Sequence, residues 1–407
     1  MGVSEPKALP LESSSDSTLG VYVSVPFCRA KCSFCNFASG VSSPAAIAAY
    51  VSTLCAEIDA ASATAERLNA KLPHIVDTLY FGGGTPSLLE PTQLRSIFAA
   101  LRRNFQITSD AEITLEAAPG QIADAVLAEA QLQGVNRISL GVQSFVDREC
   151  AAVGRSHTER DCIREILRLQ AAGVADVGAD LIAGLPYQTT ASWQHSLDVT
   201  TSIGLAHLSV YMLEVDEDSR LGREVIAGDQ RFHAHGVPAD ESSAEFYETA
   251  CAWLPQHGFP QYEISNFAPT ARRSRHNRKY WMRAPYIGFG LDAHSMLLRA
   301  NGAVRFANPE ELAQYAVQEF HPAPVDIAAR EAFEETIFLG LRMNEGVSLS
   351  QLRRQFPCEF VAAMEVAAIE LISDGLIIAE DGRLQLTLHG RLISNDVFTN
   401  LLMGIAA

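Results

Sequence analysis

The sequence contains no apolar run of the roughly 18 residues that a membrane-spanning helix needs, so no intrinsic membrane anchor is expected. Residues 1–19 hold Ser, Glu and Pro but no apolar stretch. They are read as a mobile tail and not as a secretory signal. Cysteine is scarce, with eight in 407 residues, too few for a disulfide scaffold. The expectation is a soluble, cytoplasmic protein whose cysteines are free, metal-bound or catalytic. Positive charge is also short: 31 Lys+Arg stand against 48 Asp+Glu, a formal net charge of -17. A chain this acidic is a poor general binder of nucleic acid or of anionic membrane surfaces. What is present is apolar: 48% hydrophobic and 19% charged residues bury a sizeable core and exclude a largely disordered chain. The length suggests two or three domains.

Short apolar runs alternate with segments of helical period. The runs are VYVSV (21–25), IVDTLYF (75–81), EITLE (112–116), RISLGV (137–142), VGADLI (177–182) and HLSVYML (207–213). Between them, helices are expected near 44–69, 91–103, 121–132, 158–171 and 190–202. This alternation argues for a parallel α/β sheet, with ligands at the C-terminal ends of its strands. Six βα units make either a doubly wound sheet or an incomplete barrel, and periodicity does not choose. After about 214 the alternation stops. Residues 240–254 read as a helix, and 259–308 as an irregular or mixed segment. Helical period returns from 326. A hairpin is expected over 377–387, where Asp381-Gly382 suits a two-residue turn. Helices around a hairpin suggest a winged-helix-like module. Its basic residues are few and mixed with acids, against DNA binding. The resulting division is a tail at 1–19, an α/β unit at 20–235 and a C-terminal α+β domain at 236–407.

Cys28, Cys32 and Cys35 follow the first expected strand with C-x3-C-x2-C spacing, in PFCRAKCSFCNF (26–37). Structural zinc wants four ligands, and no histidine stands nearby in sequence. A [4Fe–4S] cluster with three cysteine-bound irons and one open iron fits better; zinc and free thiols stay open as alternatives. GGGTPS (82–87) ends the second strand, and its glycines allow close backbone approach to a ligand. No Gly-Lys-Ser/Thr follows, so it is not a P-loop. Cys55 and Cys162 read as small core residues. Cys150 follows a charged loop and reads as exposed.

Together these motifs resemble the radical S-adenosylmethionine (SAM) superfamily, and within it the oxygen-independent coproporphyrinogen III dehydrogenase group and its heme-chaperone branch. The resemblance runs from about Tyr22 to Phe398. It includes ITLEAAPG (113–120), GVNRISLGVQSF (134–145), GRSH (154–157), DLIAGLP (180–186), YEISNFA (262–268), HNRKYW (276–281) and LISNDVF (392–398). It implies an incomplete (β/α)6 barrel carrying a [4Fe–4S] cluster on Cys28, Cys32 and Cys35, with SAM on the open iron. Reductive cleavage of SAM to methionine and a 5′-deoxyadenosyl radical is the chemistry of the family. By the resemblance, Tyr22 flanks cluster and SAM, Phe34 packs near the adenine, and Gly83, Gly84 and Thr85 meet the methionyl part. Glu116, Gln143, Arg155 and Asp180 hold polar groups. Three positions depart from the family pattern: Ser24, Ala118 and Leu291-Asp292.

The dehydrogenase branch usually has a fourth cysteine two residues after the third, where this chain has Phe37. It also has a longer N-terminal region. Both differences favour the chaperone branch, which implies heme as ligand and a respiratory heme-acceptor protein as partner, with an electron donor as a further one. The run RRSRHNRKYWMR (272–283) is a basic island without an acid. Arg and Lys pair with heme propionates, a histidine can ligate heme iron, and aromatic rings pack beside a porphyrin. His276, Asn277, Tyr280 and Trp281 are therefore the candidate heme residues. The competing reading is a packed element that braces the fold, its charges paired with the protein's own acids.

Overall fold

The computed structural model of the chain describes residues 18–316 and 323–406. Most of the expected tail, residues 1–17, lies outside them. Six parallel strands follow in chain order: β1 (Leu19–Val25), β2 (Ile75–Gly83), β3 (Gln106–Ala117), β4 (Arg137–Gln143), β5 (Asp176–Ala183) and β6 (His207–Met212). Their order in the sheet is sequential, without the reversal of a doubly wound fold. That decides for the incomplete (β/α)6 barrel. The strands are nearly continuous apolar runs because both faces are covered; every residue of β1 but Tyr22 is buried. Register aligns Val21, Leu79, Ile113 and, one strand pair further on, Leu115, Ile138 and Val177 into shared layers.

The segment 259–308, expected to be irregular, extends this sheet. β7 (Asn266–Phe267) pairs antiparallel with β6. β8 (Tyr286–Phe289) lies parallel to β1 on its other side. β9 (His294–Arg299), β10 (Gly302–Ala307) and β11 (Val325–Ile327) follow antiparallel, giving eleven strands. One large apolar cluster therefore runs from Leu19 to Tyr315.

A second cluster joins Ile264 to residues between Phe333 and Leu401. It lies under a three-stranded sheet of β12 (Val347–Ser348), β13 (Ile377–Glu380) and β14 (Arg383–Leu386) and the helices Ala329–Arg342, Cys358–Ser373 and Ser394–Ala406. The expected hairpin is present. Asp381 and Gly382 both have positive φ, 49° and 68°, as a type I′ turn requires. Backbone bonds from Ile264 to Arg342 and from Asn344 to Tyr262, each 3.0 Å, join this sheet's helices to the segment before β7. Among the described residues no helix is long and apolar enough to cross a membrane.

Candidate functional site

The cysteine loop leaves the C-terminal end of β1 and is pinched at its base. Cys28 N–H donates to the Gly40 carbonyl at 2.9 Å, and Gly40 N–H to that of Pro26 at 3.0 Å. Further along, Ser33 N–H reaches the Val153 carbonyl at 3.1 Å, and Leu221 N–H reaches that of Ser33 at 2.8 Å. The glycine run at the end of β2 is stitched to the same loop. Gly84 N–H donates to Val25 and Thr85 N–H to Phe27, at 3.0 and 2.8 Å. Gly83 has φ 96°, and a Cβ on Gly84 would stand 2.7 Å from the Phe27 nitrogen. Only glycine fits both demands.

Cys28, Cys32 and Cys35 are free thiols that line one cavity of about 1100 Å3. Among the described residues no three His, Cys, Asp or Glu side chains converge on a single-ion point. Three thiolates of one loop could each hold a different iron of a [4Fe–4S] cluster. Phe34 packs against the apolar group of Val153, Ile182, Leu185, Leu221 and Ala234.

Gly83, Gly84, Thr85, Glu116, Gln143, Arg155 and Asp180 line the same cavity as the thiols. Glu116 accepts a 2.7 Å hydrogen bond from the Tyr80 hydroxyl. Burial pushes its pKa up to about 7, against the Tyr80 bond and with help from Asp180. Asp180 is also raised, first by burial, although Ser139 donates to it at 3.1 Å. Gln143 is held at φ 70° where the β4–β5 register slips; strained non-glycine residues of this kind cluster at ligand sites. Arg155 has a buried Nε without a partner. Two acids held toward neutrality and an unsatisfied guanidinium suit a ligand that brings a cationic amine and a carboxylate.

Tyr22 stands apart from that set. It lines an adjoining cavity of about 370 Å3 with Ser24, Phe37, Gly83, Tyr280 and His294. Phe37 and Gly83 border both cavities.

The basic island is neutralised by acids distant in sequence. Arg272 pairs with Asp176, Arg273 with Glu345 at 2.9 Å, Arg275 with Asp77 at 3.5 Å, Lys279 with Asp77 at 2.9 Å and Arg283 with Glu335 at 2.9 Å. Arg278 comes within 4.0 Å of Glu345. The island as folded is a charge-paired brace and not a free anion seat. His276 lies in its helix, Arg275–Trp281, at 1% exposure. Its Nδ1 bonds Thr78 Oγ1 at 2.9 Å and its Nε2 the Tyr280 hydroxyl at 2.8 Å. Both ring nitrogens are therefore engaged inside the protein, and this conformation leaves neither for a metal. Asn277 donates its backbone N–H to the Ser274 hydroxyl that caps the helix. Trp281 lies under the Arg342 guanidinium, 4.4 Å from the ring centroid. Of the four candidate heme residues, Tyr280 lines a cavity.

Cys150, expected to be exposed, is buried at 1% and its thiol points to the Ser144 and Val142 carbonyls. Sequence reasoning missed Arg342, Arg391 and Tyr247, which line the large cavity from the far side with Ser394–Asp396. The LISNDVF match was the only signal near any of them.

The model of the Radical SAM superfamily matches residues 22–199, and that of the HemN C-terminal domain matches 327–393. The chain is 31% identical to the heme chaperone HemW of Bacillus subtilis over 383 residues, 93% of this chain and 97% of that protein. It is 30% identical to HemW of Lactococcus lactis, covering 94% and 97%. It is also 31% identical to the mitochondrial radical S-adenosyl methionine domain-containing protein 1 of Bos taurus, covering 94% and 87%. Among solved structures, the coproporphyrinogen III oxidase HemN of Escherichia coli superposes with TM-score 0.78 at 25% identity, covering 96% of this chain and 90% of that one. The chain belongs to the HemW family of the radical SAM superfamily.

Proposed function

We propose that this protein binds heme and delivers it to an acceptor protein, while carrying a [4Fe–4S] cluster on Cys28, Cys32 and Cys35 with SAM beside it. The observation that carries this reading is the likeness to HemW over nearly the whole chain, together with Phe37 where the dehydrogenase branch has a further cysteine. When bound, the cluster supplies an electron-transfer centre and an open iron for the amino and carboxylate groups of SAM. The chain's own residues bind and orient. Gly83 and Gly84 would admit the methionyl part against bare backbone. Glu116 and Asp180 would hold its amine and Arg155 its carboxylate, with Phe34 on the adenine side. Phe37, 62% exposed at the cavity rim, stands at the entrance that heme would use.

A second reading, oxidative decarboxylation of coproporphyrinogen III, is favoured by the overlay on HemN. Anaerobically reconstituted protein separates the two. The chaperone reading expects stoichiometric uptake of hemin and its transfer to an apo-acceptor. Formation of protoporphyrinogen over many turnovers, with SAM and reductant, would overturn it.

SAM affinity should depend on pH through Glu116. With the carboxyl raised to about 7, a cationic ligand binds its ionised form. Affinity should therefore be full above that pH and fall as pH drops through it, by up to about tenfold per unit. Glu116→Gln should weaken binding at pH 8 and flatten the profile, as read by equilibrium SAM titration. An unchanged slope in that variant removes Glu116 from the site.

A further inference from the structure

Two arginines face the large cavity from the C-terminal side, Arg342 at the end of helix Ala329–Arg342 and Arg391 in the short helix Leu388–Leu392. Neither has a carboxylate within ion-pair distance among the described residues. The Arg342 guanidinium carbon lies 4.4 Å from the Trp281 ring centroid, and its Nε is buried without a partner. Arg391 donates to the Gln261 side-chain carbonyl at 2.7 Å and the Leu386 carbonyl at 3.4 Å. Those acceptors are neutral and leave its charge uncompensated. Arg342 favours ionisation of nearby Glu263, but burial still raises that carboxyl, whose Oε1 accepts from Ser265 N–H and the Asn266 side chain while its Oε2 has no hydrogen-bond partner. The contrast with 272–283 is sharp, because every cation named there is paired.

A guanidinium whose Nε is withdrawn from water without a paired acid, as at Arg342, is unfavourable. A ligand with two carboxylates would pair both cations, and the planar guanidinium fork matches a carboxylate edge to edge. The cavity, about 1100 Å3, is slightly larger than typical small-molecule sites of ~300–1,000 Å3. We infer that Arg342 and Arg391 seat the propionate carboxylates of a tetrapyrrole held in this cavity. The inference rests on the tetrapyrrole-binding reading above, and it moves the propionate contacts from the basic island to the C-terminal wall.

The test compares each free acid with its ester. Hemin and hemin dimethyl ester are titrated into reconstituted wild type, R342Q/R391Q and R342K/R391K, with coproporphyrin III and its tetramethyl ester as a second arm. Wild type should prefer hemin over its ester by about tenfold or more. The glutamine pair should lose that preference while its ester affinity stays within about twofold. The lysine pair should retain part of it, which separates charge from folding. Each preference is a ratio within one preparation, so partial unfolding cancels. If the glutamine pair keeps the full preference, the seat is elsewhere while heme binding stands. If wild type ignores hemin but shows an arginine-dependent preference for coproporphyrin III, the seat stands and the heme reading falls. If neither acid is preferred to its ester in wild type, the seat is overturned.

Discussion

Replacing Cys28, Cys32 and Cys35 together by alanine is expected to lower iron and acid-labile sulfide after reconstitution by roughly tenfold or more, and to abolish the cluster's visible absorption. The thiols are the only cysteines among the described residues that line the large cavity; Cys150 and Cys162 are buried elsewhere. The barrel should survive the change. The loop is held by backbone bonds to Gly40, Val153 and Leu221, none of which needs sulfur, and Cys28 and Cys35 are only half-buried. Far-ultraviolet circular dichroism should therefore match wild type in protein that has lost its iron. Unchanged iron content and absorption would show that other residues hold the metal.

How much of this was legible in the sequence follows from which interactions are local. β1 to β6 announce themselves because strands covered on both faces must be apolar runs, and each is set off by a helix of clear period. The choice of barrel over doubly wound sheet is not local; it lies in strand order, which only pairing reveals. β8 to β10 were read as irregular because they are short and sit among Arg, Pro and Gly. What makes β8 a strand is its pairing with β1, more than 260 residues earlier in the chain. The thiols, glycines and strand-end acids of the candidate site were legible because the rim of such a sheet collects the residues just past each strand. The basic island left two readings open for the opposite reason. Its partners Asp77, Asp176, Glu335 and Glu345 are scattered over the chain, so the run alone does not tell free cations from paired ones. Arg342 and Arg391 escaped notice because an isolated arginine carries no signal until a cavity is found beside it.

The second large effect is expected at His276, and it should be an effect on stability. The ring stacks on Tyr80 at 5.3 Å and meets Tyr280 edge-on at 5.0 Å. It also bonds the hydroxyls of Thr78 and Tyr280. His276→Ala leaves the buried Thr78 hydroxyl short of a partner, at about 1–3 kcal/mol, with the half-buried Tyr280 hydroxyl adding less, and opens a cavity beneath β1 and β2. A loss of roughly 3 kcal/mol and several degrees of Tm follows. Burial, with Lys279 adding, lowers the imidazole pKa to about 3, so the ring is neutral, as one donor and one acceptor nitrogen require. The unfolded chain takes up a proton below about 6.5 while the folded one does not. The stability that the histidine gives is thus fully present above that pH and is lost as pH falls toward 3. The deficit of the variant, read by denaturant unfolding, should be larger at pH 8 than at pH 5. Tyr80 ties the same ring to the SAM side through its bond to Glu116, so the variant should also weaken SAM binding without touching it directly. If His276→Ala instead keeps its Tm and changes the heme absorption spectrum, the ring turns outward to ligate iron, and the brace described here is a resting state that heme opens.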